Sequence, residues 1–255
     1  LINVIARQFP EFSNVVCGTT TVVGGASKSS YLGLNIATHV GDKISSVTYN
    51  RSLLLNHLED RFNRLKRPVY LNQAHTNNLC KYGDPNANEA MMDAIWSDEF
   101  NTPLFIMTAD CVPIMLTNGE VVCAIHAGWR GLANNIIEKC MAVFSNPINV
   151  SAWIGPYIKE KNYEVGLEVA DHFHQIPSAL RKTSNKNNFL LNLGAIARHR
   201  LIEQGVKQVR DIEICTYSDV RFYSHRRACH HGKNNTGRMV SFVIKLENNN
   251  NVGLK

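Results

Sequence analysis

Three short segments carry the residue types that metal chemistry needs. In Val69-Tyr70-Leu71-Asn72-Gln73-Ala74-His75 an apolar stretch leads directly to a Gln and a His. In Leu104-Phe105-Ile106-Met107-Thr108-Ala109-Asp110-Cys111-Val112-Pro113 an apolar run enters an Asp-Cys pair and is stopped by proline. In Val121-Val122-Cys123-Ala124-Ile125-His126-Ala127-Gly128-Trp129-Arg130-Gly131 a run ends in His126, and a glycine-flanked Trp-Arg follows. Side chains at strand ends stand on stiff backbone and converge readily on one cleft. Two His and one Cys form a three-ligand set for catalytic zinc, with the fourth position open to water or substrate. A structural zinc site is usually closed by a fourth ligand on short C-x2-4-C or H-x3-5-H loops, and these three segments hold neither spacing. Without a metal, Cys111 and a His make a thiol–imidazole nucleophile pair, and each residue taken singly is an ordinary packing or hydrogen-bonding group. Spacing leaves these readings open.

Two other segments imitate sites. Cys229-His230-His231 offers adjacent ligands that cannot easily face one ion, and Gly232-Lys233-Asn234-Asn235 after it reads as a mobile loop. Gly24-Gly25-Ala26-Ser27-Lys28-Ser29-Ser30 looks like a phosphate loop but lacks the GxxxxGK[ST] spacing, and reads as a surface loop. No glycine-rich dinucleotide fingerprint follows any strand-like run.

The elements that must position the three segments can be read from apolar patterning. Strand-like runs are Val15–Val23, Pro68–Leu71, Leu104–Met107, Val121–Ile125, Val150–Ile154, Asp211–Thr216 and Met239–Lys245. Helical spacing appears in Thr48–Leu58, Leu132–Phe144, Val165–Phe173 and Leu193–Gln204, the last with Asn192 as N-cap and Gly205 as terminator. The elements interleave without the regular alternation of a doubly wound sheet. The expected fold is α+β: a single compact mixed α/β domain over residues 1–255, its mixed sheets flanked by helices, with the Asn-rich tail Asn248–Asn251 frayed.

Composition limits the function. The 255 residues are 44% hydrophobic, enough for a sizeable core and too many for wholesale disorder. No apolar run approaches the roughly 18–20 residues of a membrane helix, and the first residues hold no secretory signal, so a cytoplasmic protein is expected. The net charge of +6 mildly favours anionic ligands such as phosphate. Its basic residues are scattered and form no nucleic-acid motif. Seven irregularly spaced cysteines fit reduced thiols rather than a disulfide framework.

At the chemical segments the chain resembles the YfiH family of bacterial proteins, also called the multicopper polyphenol oxidase or laccase-domain family and associated with purine nucleoside phosphorylase activity. The resemblance covers almost the whole chain. It rests on Gly33-Leu34-Asn35, His39-Val40-Gly41-Asp42, Asn50-Arg51, Gln73-Ala74-His75, Thr108-Ala109-Asp110-Cys111-Val112-Pro113 and His126-Ala127-Gly128-Trp129-Arg130-Gly131. It continues through Ile154-Gly155-Pro156, Glu164-Val165-Gly166, Cys215-Thr216-Tyr217, Phe222-Tyr223-Ser224-His225-Arg226-Arg227 and Thr236-Gly237-Arg238. Two departures stand out: Gln-Ala-His where the family commonly has Gln-Val-His, and a longer Ala228–Asn235 stretch at the expected rim of the cleft.

The resemblance implies that His75, Cys111 and His126 are metal ligands and catalytic residues, for zinc or alternatively copper. It implies phosphorolysis of adenosine, inosine and methylthioadenosine to free base and ribose 1-phosphate, with adenosine deamination as an accompanying activity. The alternatives are a peptidoglycan-precursor editing amidase, a copper polyphenol oxidase and a non-enzymatic metal-stabilised binding module. The oxidase is the weakest of these on physical grounds, because several coppers need a His-rich set without counterpart here. The expected partners are a small-molecule nucleoside and phosphate, with no nucleic acid and no membrane; the oligomeric state is left open, with a monomer favoured. Phosphate favours planar guanidinium donors, and Arg51, Arg130, Arg226 and Arg238 lie in the family-like elements as candidate substrate-binding residues. Asp110 is a candidate proton carrier or ligand-orienting group, with helix capping as its ordinary role. Trp129 either packs under the site or offers a platform to a purine.

Overall fold

The runs Leu104–Thr108, Val112–Thr117, Val122–Ala127 and Met239–Lys245 are buried at every residue, so each needs cover on both faces. The computed structural model describes residues 1–247 except Asn88 and Pro177; the Asn248–Asn251 tail lies outside the described residues. The chain runs β1 (Val4–Phe9), β2 (Phe12–Thr20), α1 (Ile44–Phe62), β3 (Leu79–Lys81), β4 (Ala94–Ser97), β5 (Leu104–Thr108), β6 (Val112–Thr117) and β7 (Val122–Ala127). It continues through α2 (Trp129–Ala133), α3 (Ile136–Met141), β8 (Ser151–Ile154), β9 (Glu164–Gly166), α4 (Leu167–Ala170), β10 (Leu180–Lys182) and β11 (Asn188–Leu191). The last elements are α5 (Leu193–Glu203), β12 (Gln208–Asp211), α6 (His225–His230) and β13 (Met239–Lys245).

A four-stranded antiparallel sheet has the order β1-β2-β13-β5. A six-stranded mixed sheet has the order β12-β8-β6-β7-β4-β3, parallel only at its two edge pairs. A small three-stranded sheet, β10-β11-β9, stands beside them. The alternation of side chains along each strand sorts the core into layers. Phe105, Val240 and Phe242 meet Leu54, Leu58 and Phe62 of α1 on one side of the four-stranded sheet. Leu104, Ile106 and Val243 on its other side meet Met115, Val122, Ala124 and Trp153 of the six-stranded sheet. Ile114, Ile125 and Ile154 on the far side of that sheet meet Ile136 and Ile137 of α3 and Ile196 and Leu201 of α5. The fold is therefore α+β, one domain with mixed sheets between helices.

Several expected boundaries move. Pro113 does not stop a strand; it lies inside β6, paired with His126. Its carbonyl accepts from Gly155 N at 3.0 Å just past the end of β8, and its missing N–H falls on that same side, where the ladder has ended. The single helix expected over Leu132–Phe144 is two, because Asn135 takes φ +60 between α2 and α3, a conformation Asn tolerates. Asp211–Thr216 is not a strand: β12 ends at Asp211, and Glu213 turns the chain with φ +57. Pro68–Leu71 makes only the isolated bridge Val69↔Leu104. Of Val165–Phe173, Val165 belongs to β9, and a short helix begins at Leu167. The long Ala228–Asn235 stretch begins as helix, since α6 runs through His230, and Gly232–Asn235 after it lies outside regular elements. The Asn192 cap is as expected, its side chain accepting from Ala195 N at 2.9 Å.

Gly194, in the first turn of α5, is set by packing. A Cβ there would stand 1.8 Å from the Tyr157 hydroxyl. That hydroxyl cannot easily retreat, because it donates to Asp211 Oδ2 at 2.7 Å and accepts from Lys159 Nζ at 2.6 Å. Gly194→Ala therefore destabilises the protein by about 1–3 kcal/mol through overpacking, although alanine is the better helix former by about 1 kcal/mol. Urea unfolding checks this, and a variant as stable as wild type would contradict it.

Candidate metal centre

Strand parity brings the ligands together. On β7, Cys123 and Ile125 face the helices while Val122 and Ala124 face the opposite sheet, and His126 continues the second set to the end of the gap between the sheets. Cys111 closes the turn in which the chain leaves the four-stranded sheet at Thr108 and enters the six-stranded sheet at Val112. His75 arrives on an irregular segment tied to β5 by Gln73, whose amide accepts from Met107 N at 2.7 Å and donates to Met107 O at 2.8 Å.

The donor atoms of His75, Cys111 and His126 all lie within 4.8 Å of one another. His75 Nε2 is 3.7 Å from Cys111 Sγ, and the two imidazole rings are 4.8 Å apart at 69°. Among the described residues this is the one group of three or more His, Cys, Asp or Glu side chains gathered closely enough to hold a metal ion.

A residue the sequence reading missed holds the group in place. Asp93 is fully buried immediately before β4. Its Oδ1 accepts from His126 Nδ1 at 2.7 Å and from His75 N at 3.0 Å. Its Oδ2 accepts from Thr76 N at 2.6 Å, Thr76 Oγ1 at 2.7 Å and Ala74 N at 3.2 Å. One carboxylate thus collects three successive backbone N–H groups, an anion nest. It holds His75 at φ +61, a left-handed conformation unusual for a non-glycine residue. Because Nδ1 of His126 is engaged by Asp93, Nε2 is the nitrogen left for a ligand.

The charges agree with a metal site. Burial works against the Cys111 thiolate, but the neighbouring His126 and His75 outweigh it and pull the thiol below its ordinary range. Burial also works against the His126 cation, while Cys111 and Asp93 raise the imidazole above its ordinary value. The same partnership holds the Asp93 carboxyl below the usual range despite its burial. A divalent cation can take over the role of the proton shared in this cluster.

Gly128 leaves room for the ligands. A Cβ on it would stand 2.8 Å from His75 Cδ2 and 3.1 Å from Cys111 Sγ. Its φ of −78 is open to any residue, so the constraint is space rather than backbone. Gly128→Ala displaces the His75 ring, and the variant is expected to fold yet retain less metal after purification. Metal analysis of protein matched for circular dichroism tests this; full metal occupancy would contradict it.

The ligands open onto a cavity of about 350 Å³. Of the four arginines expected to bind substrate, Arg130, Arg226 and Arg238 lie on its wall. Arg51 does not line the cavity: its Nε donates to Ile36 O at 2.9 Å and its guanidinium stacks 3.7 Å from the Tyr70 ring centre. Arg130 is exposed, 4.3 Å from the Trp129 ring centre, and Arg226 donates to Glu164 O at 2.8 Å. Trp129 lines the cavity half-buried, with the His172 ring 5.8 Å away. Asp110 is on the wall with φ +93; its carboxylate accepts from Thr216 Oγ1 at 2.6 Å and from Arg226 N at 2.7 Å, in the first turn of α6. His39 and His225 line the cavity too. Burial, then the charge of Arg238, lowers the pKa of both. They stood within recognised sequence elements, but nothing local marked them as facing the site. Asp93 had a fainter signal, a lone acid at the head of an apolar strand.

Cys229, His230 and His231 form no ligand set. Cys229 Sγ lies 3.6 Å from His225 Nε2, His230 Nδ1 bonds the Tyr217 hydroxyl at 2.9 Å, and His231 Nδ1 donates to Arg227 O at 2.7 Å. The cysteines are unpaired, and Cys17, Cys80, Cys123 and Cys140 are buried as core residues. Among the described residues no helix is long and apolar enough to cross a membrane.

Comparison with known proteins meets this geometry. A family model described as multi-copper polyphenol oxidoreductase laccase matches residues 16–246. The chain is 35% identical to a protein of Escherichia coli strain K12 named purine nucleoside phosphorylase YfiH, over 94% of this chain and 97% of that one. It is 31% identical to the Bacillus subtilis protein named purine nucleoside phosphorylase YlmD, over 90% of this chain and 88% of that one. Among solved structures, Neisseria meningitidis protein NMB0706 superposes with a TM-score of 0.87 at 32% identity, covering 96% of this chain and 100% of that one. YlmD from Geobacillus stearothermophilus superposes with a TM-score of 0.83 at 30% identity, covering 94% of each chain. With the family model spanning nearly its whole length and full-length relatives above 30% identity, the chain belongs to the multi-copper polyphenol oxidoreductase laccase family, that of the YfiH proteins.

Proposed function

We propose that this protein is a zinc-dependent purine nucleoside phosphorylase of the cytoplasm, with its active site complete within one chain. The observation that carries the reading is a three-ligand cluster opening onto a basic, partly aromatic cavity of about 350 Å³, within the usual size range of small-molecule sites. The names of the relatives support the phosphorolytic activity. One His2Cys set suits zinc with an open position. Several coppers would need further His-rich sets, and the described residues gather none. Reduced, mostly buried cysteines agree with the proposed compartment.

The reaction is balanced by its own substrates. An oxygen of hydrogenphosphate bonds to C1′ of the ribose and the C1′–N bond to the purine breaks. The electron pair leaves with the base, and the phosphate proton ends on the base nitrogen. His75, Cys111 and His126 would hold the zinc ion, which would supply Lewis-acid polarisation when bound. The chain's own residues bind and orient. Arg130, Arg226 and Arg238 supply cationic donors on the wall, and Trp129 offers an aromatic face beside the cluster. Asp110, with both carboxylate oxygens hydrogen-bonded, fixes the Cys111 turn against α6 and acts by positioning.

The test is a product assay with adenosine, with and without phosphate, on wild type and His75→Ala in parallel. Phosphate-dependent adenine from wild type alone is the expected result. Inosine formed regardless of phosphate would make deamination the main chemistry. Oxidase turnover with several coppers per chain would replace the reading altogether.

A further inference from the structure

Two side chains on the cavity wall keep polar atoms without a partner among the described residues. Arg238 is pinned by one nitrogen, Nη1, which donates to Thr236 O at 2.7 Å and Gly237 O at 3.2 Å. Among the described residues its Nε and Nη2 have no hydrogen-bond partner, and no carboxylate pairs with it. The charges it feels are Cys111 first and then Asp110, whose oxygens are engaged by Thr216 and by the backbone N–H of Arg226. Arg238 is half-buried, which disfavours its charge, and its unpaired donors on the cavity wall are available to an anionic ligand. Thr108 is the second group. It is 1% exposed, lines the same cavity, and among the described residues its Oγ1 has no hydrogen-bond partner. Thr108 pairs with Met239, the residue after Arg238, where β5 ends and β13 begins, and Thr108 and Arg238 both line the cavity. The other wall arginines differ: Arg226 is spent on Glu164 O and stacks 4.9 Å from the Tyr163 ring centre, and Arg130 is exposed.

We propose that Arg238 and Thr108, flanked by His39 and His225, form the oxyanion subsite of the cavity and that inorganic phosphate is the anion it takes. The inference rests on the phosphorolytic reading above and deepens it by placing the second substrate. A planar guanidinium with free donors and a hydroxyl match the geometry of a tetrahedral oxyanion. The neutral imidazoles add N–H donors without a competing charge.

The test is calorimetric titration of inorganic phosphate into metal-loaded wild type, Arg238→Met and Thr108→Val, with steady-state kinetics alongside. Arg238→Met should weaken phosphate binding at least about tenfold, the usual cost of a lost charged hydrogen bond. It should raise the phosphate KM in step and leave the adenosine KM within about twofold. Thr108→Val should weaken phosphate binding about threefold with a melting temperature equal to or above wild type, since its hydroxyl has no protein partner to lose. That variant keeps the test decisive if Arg238→Met folds poorly. Phosphate affinity within about twofold of wild type in both variants overturns the proposal, even if wild type is an active phosphorylase. If wild type makes no phosphate-dependent product but the variants still lose phosphate binding, the subsite stands and the phosphorolytic reading fails.

Discussion

Replacing Cys111 with serine lowers phosphorolysis of adenosine by more than about 100-fold, the upper cost of losing even an outer-shell partner of a metal site, while the protein remains folded. Cys111 is half-buried, and its sulfur interacts with His126 and His75 and belongs to none of the apolar clusters. Its removal therefore costs the fold little. The cost to the site is larger. Of the three donors only the thiolate carries negative charge, and the two imidazoles already favour it over the thiol. Serine at neutral pH offers a neutral hydroxyl, a poor ligand for a borderline-soft ion. Metal content, circular dichroism and turnover of the same preparation check the expectation. Full metal content would remove Cys111 from the ligand set. Full activity without metal would make the ion incidental to catalysis. Chelation of wild type should agree: turnover is lost and the fold persists, because the surrounding layers are packed by apolar residues independently of the ion.

Asp93→Ala has the largest expected effect on stability and strikes the site as well. The carboxylate is fully buried and accepts from Ala74, His75 and Thr76 N–H groups, the Thr76 hydroxyl and His126. Deleting it strands these donors, and breaking a buried charged pair typically costs about 3–5 kcal/mol. For a chain of this size that is a fall in melting temperature of about 10 °C. Asp93→Asn separates the roles. It keeps the volume but loses the charge that orients His126, so metal affinity falls about 10–100-fold with a smaller loss of stability. If Asp93→Asn binds metal like wild type, the carboxylate is merely structural.

The three candidate ligands are legible in the sequence, because each ends or follows an apolar run whose strand character is local. Leu104–Thr108 and Val122–Ala127 announce themselves by unbroken apolar residues, and His126 and Cys111 stand beside them. The α5 cap is equally legible, since Asn192 acts on an amide three residues away. Local breaks mislead where one residue reverses the expectation: Asn135 and Glu213 through positive φ, and Pro113 because the end of β8 removes the need for its N–H.

What sequence alone determined was the chemical inventory: a His2Cys set, a surplus of cations, an α+β chain and its family. Tertiary structure decided which of those groups meet. Asp93 reaches His126 across 33 residues, and Asp110 reaches Thr216 across 106. Arg51 and Arg238, alike in sequence terms, part company because one packs on Tyr70 and the other lines the cavity. Backbone periodicity carries information over a turn or a strand. Which buried polar group is answered by the protein, and which is left for a ligand, depends on contacts that only the closed layers create.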